Sequence, residues 1–472
     1  MPNRILLPLI IACALFMENL DSTVISTALP SIAADFGANP IHLKLALTSY
    51  LLSLAIFIPT SGWLADRFGA RMIFRCAIVT FTVGSIACGL SNSMTELILA
   101  RIVQGMGGAM MVPVGRLVIL RSIPKNELVA SMAWLTMPAL LGPVFGPPIG
   151  GFITTYLHWR WIFWINVPVG ILGLVLATLY IPAIYGDRRV AFDGRGFLLS
   201  GVGLSALVTG STTVGLGLLS PWIIWSLLLV GVILLTLYVF HSRRIEAPIL
   251  DLALLKIPTF RYSIAGASLF RIGVGATPFL LPLFLQVGFG MTPFESGLVT
   301  FASAVGAFCM KALTSPLLRR FGFRRILLVN SVLGAIFIAM PAIFTTDTPV
   351  ALMFTLLLAG GFFRSLQFTA VSALSFADIP QEKMSRATTL TSVAQQIALS
   401  VGVSLGAMIV EATLHISGVS LGATSFWPAF LIIATIAITS VLPLMRLHPT
   451  AGQEMSGHRP LTPDPVTIMR ER

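Results

Sequence analysis

"LADRFGARMIF", residues 64–74, returns in altered form as "LLRRFGFRRIL", residues 317–327, so that Phe68 and Gly69 match Phe321 and Gly322, and Arg71 matches Arg324. A charged, glycine-bearing turn that recurs in matching context between long apolar runs marks a chain built of two similar halves. The copies lie further apart than the roughly 190 residues that six membrane spans with short loops occupy. Two apolar runs, 197–217 and 220–241, fill the excess. The repeat therefore predicts six spans, then two, then six, with the halves in parallel.

Composition agrees. The chain has 472 residues, 56% hydrophobic and 10% charged, with a mean hydropathy of +0.92, far too apolar for a water-soluble domain. Stretches of about 20 mostly apolar residues occur at 5–30, 43–65, 72–91, 96–119, 129–154, 159–182, 197–217, 220–241, 260–288, 294–318, 326–344, 349–372, 388–411 and 424–446. The expected fold class is thus an all-α polytopic membrane protein with fourteen transmembrane helices. Its expected units are a six-helix half at 1–186, an inserted two-helix hairpin at 187–258, a second six-helix half at 259–447 and a polar, Pro-rich, disordered tail at 448–472. The first apolar run is expected to stay as a span rather than be cleaved as a signal peptide, because it is long and interrupted by Glu18 and Asp21.

The net charge of +12 comes from placement, not from a polyanionic partner, and no nucleic acid is expected. Arg67, Arg71 and Arg75, Arg121 and Lys125, Arg188, Arg189 and Arg195, Arg243, Arg244 and Lys256, Arg319, Arg320, Arg324 and Arg325, and Lys383 and Arg386 all follow even-numbered spans, whereas the loops after odd-numbered spans hold only Lys44 and Arg160. That asymmetry puts both termini in the cytoplasm. Cys13, Cys76, Cys88 and Cys309 lie scattered in apolar stretches without CxxC spacing, so neither a metal site nor a disulfide framework is expected. The six histidines lie at span ends or in the tail, which speaks against a membrane-embedded enzyme, and no segment is long enough for a soluble signalling domain.

Charges inside the spans point to function. Glu18 lies near the midpoint of the first span and Asp21 one turn further on, on the same face. A carboxylate at that depth costs about 2.5–3.5 kcal/mol on insertion scales, so it faces the bundle interior or water and is paired or protonated. Burial raises a carboxyl pKa and a nearby cation lowers it, so such a group can load and release a proton as its surroundings change. Arg271, Lys311 and Arg364 are cations within spans of the second half. They predict a site for an anionic or zwitterionic substrate. The alternative is a broad lipophilic cavity, to which Phe16 and Met17 would contribute, with the cations paired to carbonyls and helix ends. In "GPVFGPPIGG", residues 142–151, Gly142, Gly146 and Gly150 share a helix face that admits a partner backbone, while Pro143 and Pro147 bend the helix. This suits a gate hinge or static small-residue packing. Asp66 with Arg67 and Arg71, around the turn at Gly69, reads as a latch that breaks and reforms, or as an ordinary charged turn.

Several stretches together carry a resemblance. "LDSTVISTALPSIA" (20–33), "GWLADRFGAR" (62–71), "ARIVQGMGGAMM" (100–111), "GPVFGPPIGG" (142–151) and "WRWIFWINVPVG" (159–170) resemble, in order, motifs of the major facilitator superfamily and of its fourteen-span drug:proton antiporter branch. The second half is matched mainly by spacing, and Arg319 stands where the first copy of the turn has Asp66. The resemblance implies the 6+2+6 architecture and export of small organic molecules from a bacterial inner membrane. It implies no cofactor beyond the proton gradient, and protons, a small-molecule substrate and the bilayer as partners of a monomer. It also pairs Asp21 with Arg101 for proton coupling. A permanently ionised pair that only holds two helices together is the alternative. Glu18 departs from the pattern, which commonly has an uncharged polar residue there, and is expected to be a second proton site or a cation contact.

Overall fold

A computed structural model describes residues 3–123, 128–182, 192–213, 218–245, 248–345, 347–380, 383–417 and 421–453. The boundary expected at 186/187 and most of the tail expected from His448 lie outside the described residues. Each of the fourteen apolar runs is helical over its described part, as lipid requires of a chain that must satisfy its own backbone groups. Among the described residues thirteen helices are long and apolar enough to cross a membrane.

The first half comprises α1 (Asn3–Asp35), α2 (Lys44–Phe68), α3 (Ala70–Leu90), α4 (Met94–Ser122), α5 (Leu128–Tyr156) and the broken pair α6 (Trp161–Trp164) and α7 (Asn166–Tyr180). Next come α8 (Gly194–Thr213) and α9 (Pro221–Ser242). They are followed by α10 (Pro258–Leu283), α11 (Pro293–Phe321), α12 (Phe323–Ala339), α13 (Val350–Ser375), α14 (Met384–Ser417), α15 (Trp427–Ile438) and α16 (Val441–Met445).

The packing repeats. α1 lies on α5 as α10 lies on α14, α2 on α4 as α11 on α13, and α3 on α4 and α7 as α12 on α13 and α15. Helices α5 with α11, and α2 with α14, join the two sets. The α8/α9 pair packs on itself and touches α2 and α14. α9 turns Trp222 (80% exposed) and Leu229 (62%) outward, the inside-out pattern of a surface whose solvent is lipid.

The recurring turn does the same work in both copies. Gly69 and Gly322 break α2 from α3 and α11 from α12 at φ +96° and +73°, where an L side chain meets its own backbone. Just past each turn an arginine reaches the C-terminal end of its half's last span. Arg71 donates to the Thr178 carbonyl, and Arg324 Nη2 donates to the Met445 carbonyl at 3.0 Å, each a cation on orphan carbonyls. Gly69→Ala and Gly322→Ala are each expected to cost about 1–3 kcal/mol. Thermal unfolding of the purified variants checks this; unchanged melting would mean the turns relax to ordinary φ.

Two buried apolar clusters span both halves. One, at the end bearing Asp35 and Pro293, joins Val24, Leu29 and Ile153 to Phe284, Val299 and Phe430. The other, towards the Gly69 turn, joins Phe74 and Val118 to Leu390 and Val393.

Candidate functional site

A cavity of about 500 Å³ lies between the halves. The first half supplies Ser22, Thr23 and Ser26 of α1, Tyr50 of α2, Arg101 of α4, and Pro143 and Pro147 of α5. The second supplies Lys311 of α11, Arg364 of α13 and a set of rings: Phe270, Phe308, Phe337, Phe368 and Phe430. Lys311 Nζ is 2.9 Å from Thr369 Oγ1. A mostly apolar wall with a few charged groups is how proteins hold small organic molecules.

Of the residues expected at a substrate site, Lys311 and Arg364 reach this cavity and Arg271 does not line it. The Arg271 guanidinium lies 5.2 Å from the centre of the Phe368 ring, with Nη2 3.4 Å from Ser372 Oγ. Phe368 therefore stands next to it in the wall. Phe16 and Met17 are not lining residues either. Met17, 1% exposed, belongs to the cluster near the Gly69 turn, and Phe16 packs against the other cluster.

The expected Asp21 and Arg101 pair is present and fully enclosed. Arg101 Nη1 sits 2.5 Å from Asp21 Oδ2, with side-chain exposures of 0% and 1%. Asp21 Oδ1 accepts from Gln104 Nε2 at 2.8 Å and from Asn166 Nδ2 at 2.9 Å. Asn166 also reaches Ser85 Oγ at 3.0 Å, which donates to the Phe163 carbonyl. Arg101 further donates to Gln104 Oε1 at 2.7 Å and lies 4.2 Å from the centre of the Tyr50 ring. One carboxylate thus ties α1 to α4 and α7, and Arg101 continues the tie to α2. A buried ion pair survives only with such further hydrogen bonds. Because Arg101 also lines the cavity, a ligand there is one side chain from Asp21.

Sequence reading missed Gln104, Asn166, Ser85 and Tyr50. Gln104 stands one turn beyond Arg101 in "ARIVQGMGG", and Asn166 sits inside "WRWIFWINVPVG"; those placements were the available signals. Glu18, half-buried, has Oε2 enclosed without a hydrogen-bond partner among the described residues.

The latch residues gather at the Gly69 end. Asp66 Oδ1 pairs with Arg121 Nη2 at 2.7 Å, both about one-third exposed, so α2 is tied to α4 of the same half. Exposed pairs of this kind contribute little to stability. Arg67 is exposed in the last turn of α2. The α5 glycines face α1: a Cβ on Gly142 would lie 2.8 Å from the Leu20 amide nitrogen, one on Gly146 2.0 Å from Thr23 Oγ1, and one on Gly150 2.4 Å from the Val24 carbonyl oxygen.

Known proteins share this plan. The chain is 40% identical over 406 residues to "Putative multidrug resistance protein MdtD" of Escherichia coli O7:K1, covering 85% of each chain. It is 38% identical, with the same coverage, to the protein of that name in Salmonella dublin. The crystal structure of a D-xylose-proton symporter superposes with a TM-score of 0.69 at 16% identity, covering 94% of this chain and 98% of the other; at that identity the likeness shows the fold. A sequence model of the Major Facilitator Superfamily matches residues 11–242 and 263–470. The chain belongs to the Major Facilitator Superfamily, and it is a membrane-spanning transporter rather than an enzyme.

Proposed function

We propose that this transporter exports small organic molecules by alternating access and is driven by inward movement of protons. In this reading fourteen spans form two six-helix halves and an inserted pair, both termini are cytoplasmic, and the protein works as a monomer in a bacterial inner membrane. The supporting observation is that Arg101 belongs at once to the buried Asp21 network and to the wall of the central cavity. When Asp21 takes a proton, its charge no longer holds Arg101, and the guanidinium is released towards the cavity. A substrate that draws on Arg101 in turn changes the proton affinity of Asp21. Proton and substrate occupancy are then coupled through one side chain, as a proton-driven carrier requires. The relatives' name, multidrug resistance protein, supports export.

The substrate reading is an organic anion or zwitterion carrying an apolar body. Lys311 and Arg364 offer positive charge at the cavity wall and the phenylalanines offer rings to stack on. A lipophilic-drug exporter without anion preference is the second reading, favoured by those same rings. Proteoliposomes carrying an imposed pH gradient decide between them when loaded in parallel with aromatic carboxylates and with cationic dyes. Gradient-dependent carboxylate flux is expected. Dye flux without carboxylate flux would select the second reading, and flux of either kind that ignores the gradient would remove proton coupling.

A further inference from the structure

Two enclosed polar atoms of cavity-lining residues, Arg101 Nη2 and the Tyr50 hydroxyl, and a third on α1, Glu18 Oε2, have no hydrogen-bond partner among the described residues. Enclosed polar atoms are ordinarily paired, so a cluster of orphans calls for an external partner. Gly108 on α4 explains why they share a space. The position its Cβ would occupy is 2.9 Å from the Tyr50 hydroxyl and 3.6 Å from Glu18 Cγ. Tyr50 and Glu18 thus converge on a notch that a side chain at 108 would fill. The Tyr50 ring lies against the Arg101 guanidinium, which connects the notch to the Asp21 pair.

Asp21 on its own helix and Arg116 on α4 are the charges that act on Glu18, Tyr50 faces it from α2, and α5, which packs along α1, carries no Asp, Glu, Lys, Arg or His.

We propose that the Tyr50 hydroxyl, in the notch at Gly108, relays protons between the Asp21 and Arg101 centre and Glu18. The proposal rests on the proton-coupling reading and assigns it a route. A water held by Arg101 Nη2 and the Tyr50 hydroxyl carries the proton from the Asp21 carboxyl. Tyr50 accepts that proton on its oxygen as it gives its own, through a second water in the space shared at Gly108, to Glu18, so the phenol is neutral before and after. The Glu18 carboxylate thereby becomes a carboxylic acid, and the reverse sequence returns the proton.

The test needs no transported ligand. The full chain in liposomes is followed by infrared spectroscopy after a pH step, and the protonated-carboxyl band lost in Glu18→Gln is taken as that of Glu18. Tyr50→Phe, which removes one oxygen, is expected to shift this band and to slow its appearance about 10²-fold. Gly108→Ala, which fills the notch, is expected to do the same; should it misfold, Tyr50→Phe alone decides. A band unchanged in position and rate in Tyr50→Phe overturns the relay. Pumping against a gradient by Asp21→Asn overturns instead the proton-coupling reading beneath it, so the two failures are separable.

Discussion

Asp21→Asn is expected to abolish flux against a gradient while leaving substrate binding measurable, and Arg101→Ala to abolish flux and destabilise the protein by about 3–5 kcal/mol as well. The carboxylate makes three bonds, all as acceptor, to Arg101, Gln104 and Asn166. An amide can accept on one side only, and either orientation sets its NH₂ group against a donor, with Arg101 on one side and Gln104 and Asn166 on the other. Arg101 then keeps Gln104 Oε1 as its main polar contact, so Asp21→Asn destabilises too. The larger loss comes from Arg101→Ala, which leaves a buried negative charge with two neutral donors. Arg101→Lys is not a rescue, because a compact ammonium cannot at once bond Asp21 and Gln104 and cover the Tyr50 ring as the guanidinium does. Transport in proteoliposomes and thermal unfolding of the same preparations check both parts. Uphill transport by Asp21→Asn would show that Asp21 is not the obligatory proton carrier. Melting of Arg101→Ala at the wild-type temperature would show that the pair is not enclosed in the membrane.

What sequence reading recovered, and what it missed, follows from cost. Apolar runs near twenty residues and the repeated turn carry large, local signals, so each apolar run falls on a helix and Gly69 and Gly322 adopt matching backbone conformations. Charges in spans are expensive enough to be conspicuous, which is how Asp21, Arg101, Lys311 and Arg364 came into view. Gln104, Asn166 and Ser85 are cheap in a helix, and only the tertiary arrangement makes them ligands of one carboxylate. Direction was the other blind spot. Between Glu18 and Thr27 the polar residues of α1 spread around most of the helix, so no narrow stripe separates cavity from packing, and that Ser22 and Ser26 face the cavity while Phe16 and Met17 pack elsewhere shows only once the helix is placed. Arg271 shows the same limit, since its depth was legible but not its position beside Phe368 rather than in the cavity.

Gly150 and Gly151 are neighbours in sequence, yet their replacement by Leu is expected to fail in different ways. A Cβ on Gly150 would lie 2.4 Å from the Val24 carbonyl oxygen of α1, inside the first half, and one on Gly151 would lie 2.4 Å from the Pro293 carbonyl oxygen of α11, in the second half. Backbone carbonyls cannot swing aside as side chains do, so each Leu must push two helices apart. Gly150→Leu strains a contact within one half and is expected to lower stability by about 1–3 kcal/mol or more, with transport falling alongside. Gly151→Leu strains only the seam between halves, where Gly297 also approaches the Pro147 carbonyl. If the halves rock against each other, this variant folds normally but cannot close the end bearing Pro293. In a background lacking the four native cysteines, Thr300→Cys reports on that end, because Thr300 lines the cavity and is 9% exposed. Adding Gly151→Leu is expected to raise its labelling by a membrane-impermeant thiol reagent applied from the Pro293 side at least several-fold while uphill transport is lost. Labelling that stays low, with transport intact, would mean that this seam does not open during turnover, and alternating access would have to run through some other contact between the halves.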